Sequence, residues 1–149
     1  MATVYFDDLK EGSIYWGSEC LVDKDEMLDY NRRNDPWPFH VDEDAAKDSP
    51  FGGLIASGGY IISLMYRSGH AIYNTPQVTW AFQGGLDWHA KFLLPVRPGD
   101  RLRDRLTILS KRPSSKAGRG IVTDINEMIN QEQQVVFSLE AVVILATRP

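Results

Sequence analysis

Residues Ser57–Tyr73 read SGGYIISLMYRSGHAIY, and this stretch decides the architecture. Tyr60, Ile61, Ile62, Leu64, Met65 and Tyr66 leave almost no polar face, and a helix that is apolar nearly all round belongs inside a protein. Ser57 is a good N-cap residue, and Gly69 and Asn74-Thr75-Pro76 are stop signals. After this helix no helical pattern recurs. Four strands are predicted instead: Val78–Ala90; a run after the Pro95/Pro98/Gly99-Asp100 reversal in which Leu102, Leu106 and Ile108 share a face interrupted by Asp104; Ile121–Ile129; and the apolar QVVFSLEAVVIL, predicted to lie inside its sheet. One buried helix followed by successive antiparallel strands predicts an α+β fold with the sheet wrapped on the helix.

Upstream, Ile14–Val22 is rich in strand formers, and Gly17 within it marks a bulge or a close backbone approach. Asp23 then opens a short helix, with Glu26 three residues on, apolar Met27, Leu28 and Tyr30, and cations Arg32 and Arg33 at its end. This helix delivers Asp35. Pro36 and Pro38 stiffen the segment Asp35-Pro36-Trp37-Pro38-Phe39-His40, and Asp42 caps a further helical turn carrying Ala45 and Ala46. A carboxylate and an imidazole five residues apart, ahead of a glycine-rich helix entry, are the components of acid–base chemistry beside an oxyanion site.

Composition narrows the partners. At 149 residues the chain suits one domain, 1–149, which buries roughly 70% of its unfolded surface. Its net charge of −4 argues against nucleic acid as a partner. No apolar run is long enough for a membrane span, the amino-terminal residues lack a signal-peptide pattern, and the single cysteine, Cys20, excludes an internal disulfide framework; together these predict a cytoplasmic protein. Asp35 and His40 have no further ligands at metal-binding spacing, so no metal is expected. His70 and His89 stand outside any motif.

Asp35-Pro36-Trp37-Pro38-Phe39-His40, Asp42, Ala45-Ala46, Pro50-Phe51-Gly52 and Ile55-Ala56-Ser57-Gly58 resemble the hydratase motif of MaoC-like dehydratases, the hot-dog-fold (R)-specific enoyl-CoA hydratases. Lys91–Asp100, with its Pro95-Val96 and Gly99-Asp100, resembles that family's later turn. The resemblance implies a curved antiparallel sheet around a central helix and a homodimer with an acyl-CoA or acyl-carrier thioester at its interface. The implied reaction is reversible hydration of a trans-2-enoyl thioester to the (R)-3-hydroxyacyl thioester, without a cofactor. Asp35 and His40 match the catalytic pair, with the base unassigned between them, and Gly58 matches the residue whose N–H binds the thioester oxygen.

The chain departs from the family pattern in two places. Trp37 stands where asparagine is usual, and Ser57 where histidine is common before the glycine. Bulky Trp37 and Tyr66 are expected to reshape the acyl pocket toward a short, polar or unusual acyl group. The basic loop with Lys111, Arg112, Lys116 and Arg119 is the preferred contact for coenzyme A phosphates, ahead of the Arg101/Arg103/Arg105 strand face. Two other activities suit such a chain: a hot-dog thioesterase, and a non-catalytic acyl-thioester-binding protein.

Overall fold

The computed structural model describes residues 1–149. In chain order the elements are β1 (Ala2–Val4), β2 (Ile14–Leu21), α1 (Lys24–Asn34), α2 (Pro38–Val41), α3 (Glu43–Lys47), α4 (Gly58–Tyr73), β3 (Val78–Trp80), β4 (Phe82–Phe92), β5 (Arg101–Pro113), β6 (Arg119–Ile129) and β7 (Val135–Ala146). Five strands form one antiparallel, curved sheet in the order β2-β5-β6-β7-β4, with α4 on its concave face. No helix is long and apolar enough to cross a membrane.

The caps are where the side-chain chemistry requires them. Asp23 accepts from Glu26 N–H, Asp42 from the N–H groups of Asp44 and Ala45, and Ser57 Oγ from Tyr60 N–H at 3.3 Å, each satisfying donors that a helix start leaves unpaired. Tyr60, Leu64 and Met65 of α4 are buried against Leu102, Met128, Val136, Phe137 and Leu139 of the sheet. Burying each such side chain contributes about 1.5–3 kcal/mol. Tyr60 Oη also donates to Glu26 Oε1 at 2.8 Å, and Arg67 pairs with the same carboxylate at 2.9 Å, fastening α1 to α4.

Gly17 performs both roles expected of it. The β2/β5 register shifts between Trp16 and Glu19, and a Cβ on Gly17 would lie 2.4 Å from Ser68 Oγ, so α4 rests directly on this backbone.

Three sequence expectations need correction. The strand predicted over Val78–Ala90 divides at Ala81, because β3 turns away to pair in parallel with β1. Gly69 does not stop α4. It is buried mid-helix, where the Tyr73 ring occupies the space of a side chain. Nor is α4 buried on every side, since Arg67 is exposed beside α1, and Tyr66 and His70 are exposed on the flank toward β4. That flank borders an edge strand exposed along nearly its whole length.

Candidate active site

Asp35 closes α1 as its C-cap, its N–H donating to Asn31 O at 2.9 Å. The stiff segment after it is not all loop: Pro38 opens the single turn of α2, a position where a missing N–H costs nothing, and α2 carries His40 inward. Asp35 stays half-exposed while His40 is buried.

Main-chain contacts orient the imidazole. Its Nδ1 lies 2.9 Å from Ile55 O, and a carbonyl only accepts, so this nitrogen carries the hydrogen. In the neutral tautomer with that hydrogen, Nε2 is the lone-pair nitrogen, and it stands 3.5 Å from Asp35 Oδ2. That separation is too long for a strong direct hydrogen bond, yet both atoms come within hydrogen-bond reach of one bridging oxygen. Behind His40, fully buried Asn31 donates from Nδ2 to the His40 carbonyl at 3.0 Å. Asn31 was not singled out from the sequence. Its signal was its spacing, four residues after Met27 on the buried stripe of α1.

The chain from Leu54 to Ser57 is buried and tied on both sides, with Ile55 N–H donating to Phe39 O and Ala56 N–H to Val96 O. It brings the start of α4 beside His40. Gly58 and Gly59 occupy the first helical positions, and no protein acceptor takes either N–H, so two donors with the helix dipole behind them are free for an anionic oxygen. A Cβ at Gly58 would sit 2.8 Å from the Phe92 ring, and one at Gly59 would sit 2.4 Å from Tyr30 Oη. A side chain at either position would therefore have to displace an aromatic neighbour, Phe92 or Tyr30. His40, Gly58, Phe39, Ile61, Phe92 and Val96 line a cavity of about 400 Å³.

A second cavity, about 780 Å³, lies under the C-terminal half of α4, between that helix, β4 and the concave sheet. Tyr66 lines this larger cavity, not the one beside His40. Trp37 lines neither: it is 61% exposed and faces out from the N-cap of α2, so it narrows no pocket within this chain. Ser57, fully buried, acts as the cap that sets Gly58.

The basic loop is not brought to the site. Lys111 donates to the carbonyls of Phe6 and Leu9, and from Arg101 to Lys111 β5 runs roughly 30 Å away from the turn that abuts His40's neighbours. Lys116 and Arg119 lie beyond it, at the same distal hairpin as Arg112. Arg103 and Arg105 lie over the Trp16 ring on the outer face, and Arg105 pairs with Glu127. Arg97 lies at the glycine turn, beside Gly53 and donating to Phe51 O.

Comparison with known proteins agrees with this fold. The family model described as MaoC like domain matches residues 15–128. The crystal structure of a MaoC-like dehydratase from Rhodospirillum rubrum is 31% identical, with a TM-score of 0.89 over 98% of this chain and 99% of that one. YdeM of Bacillus subtilis (strain 168), an uncharacterised protein, is 27% identical over 141 residues, covering 93% of this chain and 96% of its own. The R-hydratase PhaJ1 from Pseudomonas aeruginosa shares the fold at 22% identity, with a TM-score of 0.75 over 98% of this chain and 87% of that one.

Proposed function

The chain belongs to the MaoC-like domain family, its curved sheet around α4 is the hot-dog fold, and we propose that it is a hydro-lyase acting on a trans-2-enoyl thioester. The product is the (R)-3-hydroxyacyl thioester of coenzyme A or of an acyl carrier. One observation carries this reading: His40 Nε2 stands 3.5 Å from the Asp35 carboxylate, and His40 lines one cavity with Gly58, whose N–H no protein group takes. The Rhodospirillum rubrum dehydratase and the shared fold of the R-hydratase support it.

The Nδ1–H bond to Ile55 O supports His40 as the base, with Nε2 turned to the substrate. Water is held between Asp35 and His40. As its oxygen bonds to C3, one proton passes to His40 Nε2 while Asp35 accepts a hydrogen bond from the other hydrogen and steadies the imidazolium. The electron pair of the double bond moves toward C2 and the thioester oxygen, where the N–H groups at the start of α4 meet the developing negative charge. His40 then returns the proton to C2, so one water supplies both the hydroxyl at C3 and the hydrogen at C2. Because water and proton approach from the same wall, addition is syn.

A homodimer completes the arrangement. β4 forms an open edge of eleven residues bearing exposed Phe82, Leu86, Trp88 and Phe92, and such an edge calls for a strand to pair with. A second copy supplies one across a two-fold axis.

The test is a spectrophotometric screen of trans-2-enoyl-CoAs with a thiol reagent in parallel and light scattering for mass. Loss of enoyl absorbance without thiol release is expected from a particle of twice the chain mass. Thiol release without hydration would replace the reading with thioester hydrolysis, and binding without either would make the protein a carrier.

A further inference from the structure

The larger cavity has a polar wall that hydration does not use. Asp124 and Asn126 of β6 face it and are each more than nine-tenths buried, among Leu106, Leu139, Ala141 and Tyr73. The one side-chain hydrogen bond either makes is to the other, Asn126 Nδ2 donating to Asp124 Oδ1 at 3.1 Å. This leaves Asp124 Oδ2 and Asn126 Oδ1 as acceptors without a protein donor. Asp104 continues the row diagonally on β5; it is fully buried and neither carboxylate oxygen has a partner. No lysine or arginine lines the cavity.

Resting on the hydratase reading above, we infer that the acyl arm of the substrate is not plain hydrocarbon but ends in a hydrogen-bond donor, a hydroxyl or amino group, received by Asp124 and Asn126. An alkyl arm would strip water from these acceptors without replacing its hydrogen bonds, an outcome that native interiors avoid. A donor at the arm's end restores them. A site built around a polar substrate group discriminates against the analogue lacking it far better than an apolar pocket discriminates by size.

The reach is consistent with this. Along α4, Met65–His70 lie roughly 10–18 Å from Gly58, the span of a medium-length acyl arm. Antiparallel pairing of β4 with a second copy, as proposed above, would set the Phe92 end of one strand, which lines the His40 cavity, toward the Phe82 end of the other, which lines the larger cavity. Both routes end at the same polar wall.

The deciding experiment uses three trans-2-enoyl-CoAs of equal medium length with methyl, hydroxyl or carboxyl ends, plus the corresponding saturated acyl-CoAs for calorimetry. Wild type is expected to favour the hydroxyl arm over the methyl arm by about ten- to a hundredfold in kcat/KM and in Kd. Asp124→Val should reverse that order, while Asp124→Asn, which keeps a carbonyl acceptor, should retain part of it and serves if the valine variant fails to fold. Hydration of the methyl arm as fast as the hydroxyl arm, or preference for the carboxyl arm, overturns this inference and leaves the hydratase intact. Discriminating binding without hydration does the reverse. If neither series binds, both fall.

Discussion

The two cavities along α4 are built on opposite terms. Around His40 the groups that do chemistry are held: Nδ1 by Ile55 O, the His40 carbonyl by the Asn31 amide and the helix start by the Ser57 hydroxyl, and only Asn31 Oδ1 is left without a partner. Under the far half of the same helix, Asp104, Asp124 and Asn126 are just as buried but almost unsupported. Positioned groups do chemistry because their orientation costs nothing at the moment of reaction; unsupported ones wait for a ligand or weaken the fold.

The largest effect is expected at the pair itself. Asp35→Asn and His40→Gln should each lower kcat for enoyl-CoA hydration by about a hundred- to ten-thousandfold with little change in melting temperature. Asp35 is half-exposed, and His40→Gln can keep a donor toward Ile55 O, so stability is not the readout. A loss of less than tenfold in both would remove the pair from the mechanism.

Next comes Gly58→Ala. The added carbon meets the Phe92 ring at 2.8 Å, so the ring or the helix start must shift and the free N–H groups move with it. A fall in kcat of roughly ten- to a hundredfold is expected. Phe92→Leu in the same chain should recover part of it, because the two sites are coupled by that contact. No recovery would mean that the glycine serves backbone access alone.

Asn31→Ala tests support one step further out. Removing its hydrogen bond to the His40 carbonyl should cost roughly three- to tenfold in kcat and leave KM nearly unchanged. An equal fall at every substrate concentration separates loosened positioning from weakened binding.

Much of the first cavity was legible in the sequence because it is assembled from short-range pieces. Asp35, His40 and Gly58 lie within 24 residues, and capping residues and prolines state where α1, α3 and α4 begin. Asn31 escaped notice because its contact depends on how α1 packs, which only the Met27–Asn31 spacing hints at. The second cavity was hardly legible at all. Asp104 read as a break in an apolar face, and its approach to Asn126 and Asp124 depends on strand register across a hairpin. The same holds at the far end of the sheet, where Phe6 lies on Gly120 and β1 recruits β3, contacts that join the chain's first residues to positions far along it. Periodicity sees neighbours on one element; it does not see which elements meet.

The smallest effect is the most informative about the unsupported side. Burial, reinforced by the charges of Asp124 and Glu127, pushes the Asp104 carboxyl up to about 8, and burial pushes Asp124 up to about 7 against the hydrogen bond from Asn126. In the unfolded chain both ionise in the ordinary carboxylate range. Between that range and about pH 8 the folded protein therefore holds protons that the unfolded chain has released, so stability falls as pH rises, by at most about 1.4 kcal/mol per pH unit for each group. Below the ordinary range both states are protonated and the cost vanishes. Asp104→Val places a β-branched side chain of similar size between inward-facing Leu102 and Leu106 and removes the larger of the two contributions. The variant should gain about 1–3 kcal/mol at pH 8, a rise of several degrees in Tm, and almost nothing at pH 4. A gain that is the same at both pH values would assign the improvement to packing rather than to an uncompensated carboxylate. A loss at pH 8 would mean that this acid has a partner in the assembled dimer, and the contrast between the two cavities would then belong to the subunit and not to the working protein.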